Sequence, residues 1–418
     1  MNKLEYFIYN IVRKNPAIKQ FIRNLYQGVF DLIPRKNDYF LQKYQFKEGF
    51  FFGFHDISPF SEDDTKLLAN HSSFDLRMPK PNEGLDVGYF DLRKIEIGDF
   101  HKMEVSYAWN YHKGCRLQWI NNHSFIFNTA IDGKLVSKII NIDTLQEHIV
   151  DYPIDAVYSD SMLATSFSYE RLERCMPGYG YPYKDNGFIS EAAPDKTGLF
   201  LIDLANNTSR LLIPLSNLAN TVEQKFKNGY LHFITHSEFC PNGRYISFLH
   251  RWISESDNYM KRWTRIMVYD LETNGLIILP TQNSGSHYVW NHKNQLIASC
   301  IIDGQSCHVL FDMKDVDHYK IIAGNKLNSD GHQSFVSDTV FVTDTYPDKY
   351  RMAKIYMVDI ETSDVKLLAD VYSPKKFQTK DFKCHIACDL HPRISSSGKY
   401  ISFDSSRSGK RALYVMRL

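Results

Sequence analysis

Two short sequence signatures recur about seven times along this chain of 418 residues. The first is a polar turn followed by an apolar strand, as in FCPNGRYISFLH and RISSSGKYISFD. The second is an apolar strand that ends in an aspartate, with copies at Asp91, Asp143, Asp203, Asp270, Asp312 and Asp359. Successive copies lie roughly 40–65 residues apart, which is the length of one propeller blade.

Each repeat reads as four short apolar strands separated by polar hairpins, and no helix-length amphipathic segment separates the strands. A parallel α/β sheet would need such helices between its strands. The pattern therefore predicts an all-β protein, a seven-bladed β-propeller spanning residues 45–418, with a short helical extension at its N-terminus.

Residues 1–36 have a different pattern. Apolar residues recur at helical spacing from Phe7 to Leu25, with lysines and arginines between them, and Pro16 divides the segment into two short helices. A basic amphipathic pair of helices can lie on an anionic membrane surface. It can equally pack as a cap on the edge of the propeller, and both interpretations stay open.

The charge balance argues against a nucleic-acid partner, since 49 Lys and Arg oppose 48 Asp and Glu for a net charge of +1. The seven cysteines are scattered and odd in number, which favours reduced thiols over a disulfide framework. The chain shows neither the pattern of a signal peptide nor an apolar run long enough to span a bilayer. We therefore expect a cytoplasmic protein, with peripheral association at the inner membrane surface through residues 1–36 as a further expectation.

Four histidines occupy the same position in four consecutive repeats. Each stands three residues before the aromatic or aliphatic residue of the innermost strand, and the four are His236, His287, His332 and His391. Inner strands of a propeller all run the same way along its central channel, so these side chains should form a ring near one mouth. A single strand histidine is usually a core residue, but a ring of neutral imidazoles suits zinc, manganese or iron.

The second strand of each blade returns to the same mouth, so polar residues at its end should face the ring. These include Asn128, Arg171, Tyr346 and Arg407, while Arg116 occupies the histidine position in the second repeat. The run His250-Arg251-Trp252 predicts an exposed indole for sugar stacking beside groups that bind a carboxylate. His112 precedes the inner strand of the second blade, and Tyr179 lies in the rigid loop PGYGYPY.

Several of these motifs resemble those of the propeller polysaccharide lyases. They include GCRLQW, RLERCMPGYGY, HSEFCPNGRYISFLHRW, SHYVW, DGHQS, DTYPD and CDLHPR, and together they cover most of the chain after residue 48. The nearest resemblance is to ulvan lyases and related proteins found with bacterial surface-polysaccharide genes, and oligogalacturonate lyases are more distant. Blade one departs from the family pattern at GFHDISPF, and blade two does so at FNTA.

The resemblance implies a lyase that cleaves an acidic, uronate-containing polysaccharide or oligosaccharide by β-elimination with a bound divalent metal, zinc or manganese. The metal would lie at His236, His287, His332 and His391. Arg171 or Arg251 would neutralise the carboxylate, His250 or His112 would act as base, and Tyr179 as acid. The remaining substrate contacts would come from Arg116, Asn128, Trp252, Tyr346 and Arg407.

A second hypothesis is a propeller that binds carbohydrate without catalysis, or that works with a glycosyltransferase, in capsule, O-antigen or exopolysaccharide biosynthesis at the membrane surface. The basic N-terminal segment favours it, because a lyase for an external polymer would not need lipid. A protein-interaction propeller of the WD type is the third hypothesis. It lacks support because the repeats do not carry the Trp-Asp and Gly-His marks.

Overall fold

The strands form seven antiparallel sheets in the computed structural model, which describes residues 28, 30–31, 34–254, 262–379 and 384–418. The sheets follow one another along the chain, and within each sheet hydrogen-bonded neighbours are consecutive in sequence apart from two strands added from the N-terminus. The predicted all-β, seven-bladed propeller is therefore confirmed.

Each of the first four blades contains four strands, in order from the channel outward. Blade 1 contains Phe50–Phe51, Lys66–His71, Leu85–Arg93 and Glu96–Ser106. Blade 2 contains Gln118–Asn121, Ser124–Ile131, Lys134–Asn141 and Glu147–Val150. Blade 3 contains Val157–Tyr158, Leu163–Ser166, Gly198–Asp203 and Thr208–Pro214. Blade 4 contains Tyr230–Phe239, Tyr245–Ser254, Arg262–Asp270 and Gly275–Ile278.

The last three blades include the strands that join the two ends of the chain. Blade 5 contains Tyr288–Trp290, Gln295–Ile302, Gln305–Asp312 and Asp315–Ile322. Blade 6 contains Gln333–Ser337, Val340–Asp344, Met352–Asp359, Val365–Tyr372 and, outermost, Tyr39–Phe40. Blade 7 contains Arg393–Ile394, Tyr400–Ser405, Ala412–Arg417 and, outermost, Tyr44–Glu48.

The strand Tyr44–Glu48 closes the propeller. It pairs antiparallel with the last strand of the chain, Tyr44 opposite Met416 and Glu48 opposite Ala412. The ring of blades is thereby closed by hydrogen bonds between a strand near the N-terminus and the final strand. The predicted helical segment 1–36 lies largely outside the described residues.

Turn residues explain how the hairpins within a blade form. Asp132-Gly133 and Asp303-Gly304 each connect two strands through a two-residue loop, and all four residues have positive φ. This is the backbone of a type I′ turn, whose twist matches that of the strands it joins. Apolar side chains fill the spaces between blades, so that both faces of most sheets are buried.

Helices occur at the edges of the blades. Tyr169–Cys175 forms a helix directly after the second strand of blade 3, and the Ser168 hydroxyl accepts a hydrogen bond from the Arg171 N–H at its start. A second helix, Leu215–Asn220, connects blades 3 and 4, and 3₁₀ turns cover Ser159–Ser161, Gln224–Phe226 and Lys375–Phe377. None of the described helices is long and apolar enough to cross a bilayer. All seven cysteine thiols are free, and six are buried.

Candidate functional site: a histidine ring around Phe54

The innermost strand of blade 1 is interrupted, and the interruption fills the channel mouth. The strand Phe50–Phe51 ends early, and pairing resumes only at an isolated bridge between Phe60 and Leu67. The residues between them, 52–59, include the segment GFHDISP whose departure from the repeat is visible in the sequence. This loop carries Phe54 and His55 into the centre of the channel mouth.

The loop is held in place by backbone contacts that leave little freedom. The Phe52 and Gly53 N–H groups both donate to the Asp404 carboxylate, each at 3.1 Å. Gly53 has φ of +125°, and a Cβ there would lie 2.8 Å from the carbonyl carbon of Lys113. Only glycine fits this position, because both the backbone angle and the available space exclude a side chain.

Six imidazoles surround the Phe54 ring, and we call them the histidine ring. Their centroids lie between 4.5 and 5.8 Å from the Phe54 centroid, and they belong to His55, His112, His236, His287, His332 and His391. The structure thus brings together the four histidines that the repeat alignment places at one height. It adds His112 from the chain ahead of blade 2 and His55 from the inserted loop.

Hydrogen bonds fix the orientation of most of these imidazoles. The Nδ1 atoms of His55 and His391 lie 2.7 Å and 2.8 Å from the backbone carbonyl oxygens of Gln333 and Gly53. A carbonyl only accepts, so Nδ1 carries the proton in both and Nε2 keeps its lone pair. The same nitrogen of His332 donates to the Asp344 carboxylate at 2.8 Å.

Three of these histidines and one aspartate form a candidate metal site, which we call the metal cluster. One ligand atom from each member lies within 4.8 Å of the others, and the members are His112, His332, Asp389 and His391. Within the described part of the chain, both nitrogens of His112 and the Nε2 atoms of His332 and His391 are buried without a hydrogen-bond partner. A buried imidazole nitrogen without a partner is costly, and a bound cation would be satisfied by one nitrogen lone pair from each imidazole.

The hydrogen bonds made by the other ring nitrogen of these imidazoles also suit a metal site. In metal sites the nitrogen opposite the ligand atom is usually held by a carboxylate or a backbone carbonyl. Asp344 supplies the carboxylate for His332, and Gly53 supplies the carbonyl for His391. Among the described residues, the donor set therefore fits a divalent cation in ligand type and in orientation.

Burial dominates the electrostatics of the cluster. It lowers the pKa of His112 and of His391 well below the usual value, with neighbouring histidines adding to the effect. Burial raises the pKa of Asp389 to about 6, although His332 opposes the shift. For His332, burial also disfavours the charged form, but the contact with Asp344 outweighs it and raises the pKa.

The metal cluster differs from the predicted ligand set in two members. The Nδ1 atom of His287 lies 3.0 Å from the Asp330 carboxylate, and that of His236 lies 2.7 Å from the Thr235 hydroxyl. Both imidazoles face Phe54 but lie outside the cluster. Asp389 was not among the predicted ligands, although the Asp-x-His spacing of Asp389 and His391 repeats that of Asp330 and His332 and was visible in the sequence.

A loop from blade 3 covers one side of the ring. The Tyr179 ring lies 4.2 Å from the His112 ring, and its hydroxyl is 3.3 Å from Nε2 of His385. Burial keeps the Tyr179 hydroxyl protonated by raising its pKa well above the usual value. Tyr179 is thus the predicted residue of the PGYGYPY loop that reaches the metal cluster, and His385 lies directly against it.

An arginine-lined cleft opens beside the ring, between blades 4 and 5. It has a volume of about 300 Å³, and Arg251, Arg262, Ser286 and Asp330 contribute to its wall. Burial together with the neighbouring Arg262 lowers the pKa of Arg251 to about 9. Asp330, in the wall of the cleft, also contacts His287, so the cleft lies directly beside the histidine ring. We call this cavity the arginine cleft.

The structure corrects the predictions for His250 and Trp252. Nε2 of His250 lies 3.0 Å from Nδ1 of His232, and both rings are fully buried. Trp252 is 0% exposed and packs against Phe226 and Trp263, so it offers no surface for a sugar. Alternate residues of a strand point to opposite faces. Arg251 therefore faces the cleft between blades 4 and 5, while its two neighbours lie on the opposite face of the blade 4 sheet.

Arg171 is also a structural residue. Its guanidinium donates to the backbone carbonyls of His232, Glu191 and Ala192 at 2.6–3.0 Å. The prediction placed it on a turn at the mouth. In the structure the strand ends at Ser166 and Arg171 lies on the buried side of the helix that follows.

The remaining predicted substrate contacts divide into buried and rim residues. Arg116 is 1% exposed and forms two bonds to the Asp56 carboxylate, at 3.0 and 2.8 Å. Asn128 is also fully buried and bonds to neighbouring backbone and side chains of blades 2 and 3. Tyr346 is 43% exposed at 5.7 Å from the His332 ring, and Arg407 pairs with Asp38 on the rim.

A buried ion network supports the ring from below. The Asp155 carboxylate accepts from Lys113 at 2.6 Å and lies 3.0 Å from Nε of Arg116. Its second oxygen accepts from the Ser237 N–H at 2.7 Å. Lys113 and Ser237 directly follow His112 and His236, so one carboxylate links the backbones that carry two ring members.

Comparison with known proteins gives likeness at the level of the fold. No protein-family model and no curated protein matches the sequence. Among solved structures, an oligogalacturonate lyase in complex with manganese is similar, with a TM-score of 0.62, 12% identity, and coverage of 92% of this chain and 98% of that chain. The oligogalacturonate lyase from Vibrio parahaemolyticus follows, with a TM-score of 0.58, 10% identity and the same coverage of both chains.

A third neighbour is the tricorn protease, with a TM-score of 0.53 and 11% identity over 89% of this chain and 34% of that one. Identities this low establish the propeller architecture alone. The expected likeness to lyase propellers therefore holds for the fold. Neither the ulvan lyase branch nor an activity follows from it.

Proposed function

We propose that this protein binds a divalent metal ion in the metal cluster and acts there on an acidic, uronate-containing saccharide. One observation carries the proposal: in the described structure, three imidazoles and a carboxylate converge with unpartnered nitrogens near a cleft lined by two arginines. The reaction that fits this set of groups is β-elimination, which the resemblance to propeller polysaccharide lyases also implies, and the fold is similar to that of an oligogalacturonate lyase.

The number of ligands bears on the identity of the metal. Three imidazoles and one carboxylate would fill a tetrahedral zinc shell completely, which is typical of structural zinc. A six-coordinate ion such as manganese would keep two positions open. Since the similar lyase is a manganese complex, manganese is our first candidate for a catalytic ion.

The arginine cleft is suited to the carboxylate of a uronate. Arg251 and Arg262 both line it, and guanidinium groups bind carboxylates through paired charge-assisted hydrogen bonds. A bound metal would supply Lewis-acid polarisation of the same carboxylate. Arg251 keeps the role predicted from the sequence, whereas Arg262 takes the place of Arg171.

Two side chains of the ring region would transfer the protons in this proposal. His287 donates Nδ1–H to Asp330, which leaves Nε2 to accept the C5 proton of the uronate. The released electron pair forms the C4–C5 double bond, and the C4–O4 bond breaks. Tyr179, protonated and adjacent to His112, donates its proton to the departing O4. In this proposal His287 replaces His250 as the base.

The test uses oligogalacturonate and other uronate-rich polymers with manganese added, following the ultraviolet absorbance of the unsaturated product. We expect product from the wild type and a loss of at least 100-fold in H287A and Y179F. H318A is the matched control, because His318 is exposed and paired with a surface carboxylate. Absence of product on every polymer, with the metal bound, would rule out the lyase.

A binding protein without catalysis is the second candidate, and burial of the site favours it. His332 and His391 are 1% and 2% exposed, and Phe54 occupies the centre of the ring. Such a site would hold a structural metal and present the arginine cleft to a saccharide, as expected of a propeller that assists surface-polysaccharide assembly. Saturable binding of the polymer by calorimetry without product would select this function.

A further inference from the structure

A cluster of cations lies on the same face of the propeller as the histidine ring. The strand Val340–Asp344 ends at the ring, where Asp344 contacts His332, and the loop that follows carries Lys349 and Arg351. The strand Val365–Tyr372 of blade 6 ends opposite the start of the strand Met352–Asp359, where Tyr372 pairs with Met352. Lys375 follows Tyr372 closely in the sequence. Both connections therefore emerge at the ring's face, on blade 6.

The N-terminal part of the described chain adds to this cluster. Tyr39 pairs with Asp370, and the Tyr372 N–H donates to Asp38, so residues 34–38 lie beside the same loops. Two adjoining cavities, of about 410 Å³ each, result. We call this surface the basic rim, and the cations in its walls are Arg35, Lys36, Lys349, Arg351, Lys375 and Arg407.

The basic rim has a strong positive charge in a protein that is nearly neutral. Among the described residues, its walls carry six cations and two anions, Asp31 and Asp38, whereas the net charge of the whole chain is +1. The basic rim is therefore a local concentration of positive charge. Such a concentration generates a field that an anionic partner would feel beyond contact distance.

Aromatic rings accompany the cations on this surface. The Arg35 guanidinium lies 4.4 Å from the Tyr372 ring, and the Lys36 ammonium lies 4.1 Å from the Tyr350 ring. Tyrosine with lysine and arginine is the combination found where proteins meet the headgroup layer of a bilayer, because each has an apolar body and a polar end.

The sequence that leads into the rim has the same character. Residues 1–27 contain five cations and one anion, and their apolar residues recur at helical spacing. We infer that the basic rim, with this segment, docks the propeller on an anionic phospholipid surface. The candidate site then opens toward the membrane side. An acidic polysaccharide bound along the basic rim is the alternative partner, but it would not explain why apolar residues recur at helical spacing in residues 1–27.

Flotation of the full-length protein with vesicles provides the test. Vesicles of phosphatidylcholine alone are compared with vesicles containing phosphatidylglycerol, for the wild type and for the triple variant K36E/K349E/K375E, which reverses three of the rim lysines. Each cation near an anionic surface contributes about fivefold to partitioning. We therefore expect binding that requires phosphatidylglycerol, weakens as salt is raised, and falls at least tenfold in the variant.

The matched control reverses three exposed lysines on other blades, K196E/K293E/K326E, and should bind like the wild type. Thermal unfolding and metal content of both variants establish that they are folded. Equal binding to neutral vesicles, no binding to either, or full binding by the rim variant would overturn the inference. The inference would also be overturned if binding to an acidic polysaccharide required the rim cations and binding to lipid did not. The lyase assay is independent of all these outcomes.

Discussion

Asp344 is the residue on which the geometry of the metal cluster most depends. Its Oδ1 accepts from both the imidazole and the backbone N–H of His332, and its Oδ2 accepts from the backbone N–H of His391. One carboxylate thus orients the imidazole of His332 and holds the backbone that carries the imidazole of His391. Outer partners of this kind typically change metal affinity by about 10–100-fold when mutated.

We predict that D344N lowers metal affinity by about this factor while the protein remains folded, as measured by competition with a chelator. D91N is the matched control, since Asp91 holds a surface imidazole, His101, in the same way at 2.8 Å. Equal affinities of D344N and the wild type would show that Asp344 does not position the ligands.

Phe54 allows a prediction about packing. It is 3% exposed and contacts all six imidazoles of the ring, so its removal would leave a cavity in the channel mouth. F54A should lower the free energy of unfolding by about 3–5 kcal/mol. The loss in F46A should be smaller, because Phe46 lies on the outermost strand and is 39% exposed. If urea denaturation gave similar losses of unfolding free energy for F54A and F46A, the residues of the channel mouth would have moved to fill the cavity left by Phe54.

At the level of elements, the Asp155 network joins the chain ahead of blade 2 to blades 3 and 4. Burial alone would raise the pKa of Asp155, but Arg116 and Lys113 outweigh it and hold the pKa far below the usual range. Removing the carboxylate would leave two buried cations without their shared partner. D155A should therefore cost about 3–5 kcal/mol in urea unfolding. An exposed carboxylate variant such as D151A should cost under about 1 kcal/mol.

The same network predicts how stability depends on acid. The folded-state pKa of Asp155 lies below that of the unfolded chain, about 3.9, so the unfolded state takes up the proton first. Its contribution to the free energy of unfolding is complete well above a pH of about 3.9 and is lost progressively as the pH falls from there toward the folded-state pKa. Between pH 5 and pH 3, the free energy of unfolding should fall more steeply for the wild type than for D155A. Parallel slopes would assign acid sensitivity to other carboxylates.

Strand alternation explains which element-level predictions were wrong. In a propeller both faces of a blade contact neighbouring blades, so a polar residue at a strand end is not thereby at the mouth. His250 and Trp252 illustrate this, because only Arg251 between them faces the cleft. The sequence could not reveal it, since burial between blades depends on the neighbouring sheet.

For the whole molecule, the repeat period was sufficient to predict seven blades and the position of four histidines. It could not predict the break in blade 1, because a loop that fills a channel depends on contacts with segments far apart in the sequence, among them those of the five other ring histidines. No sequence feature other than the departure from the repeat therefore indicated that Phe54 and His55 lie in the channel mouth. Asp389 did have one, in the Asp-x-His spacing it shares with Asp330.

The central claim is that the metal cluster holds one divalent ion. Elemental analysis of the purified full-length protein, alone and after manganese or zinc is added and excess removed, tests it most directly, with H391A and the surface control H318A alongside. We expect about one ion per chain in the wild type and in H318A, and a loss of at least tenfold in affinity in folded H391A. A wild type that retains no divalent ion, or H391A that binds it as tightly as the wild type, would contradict the account.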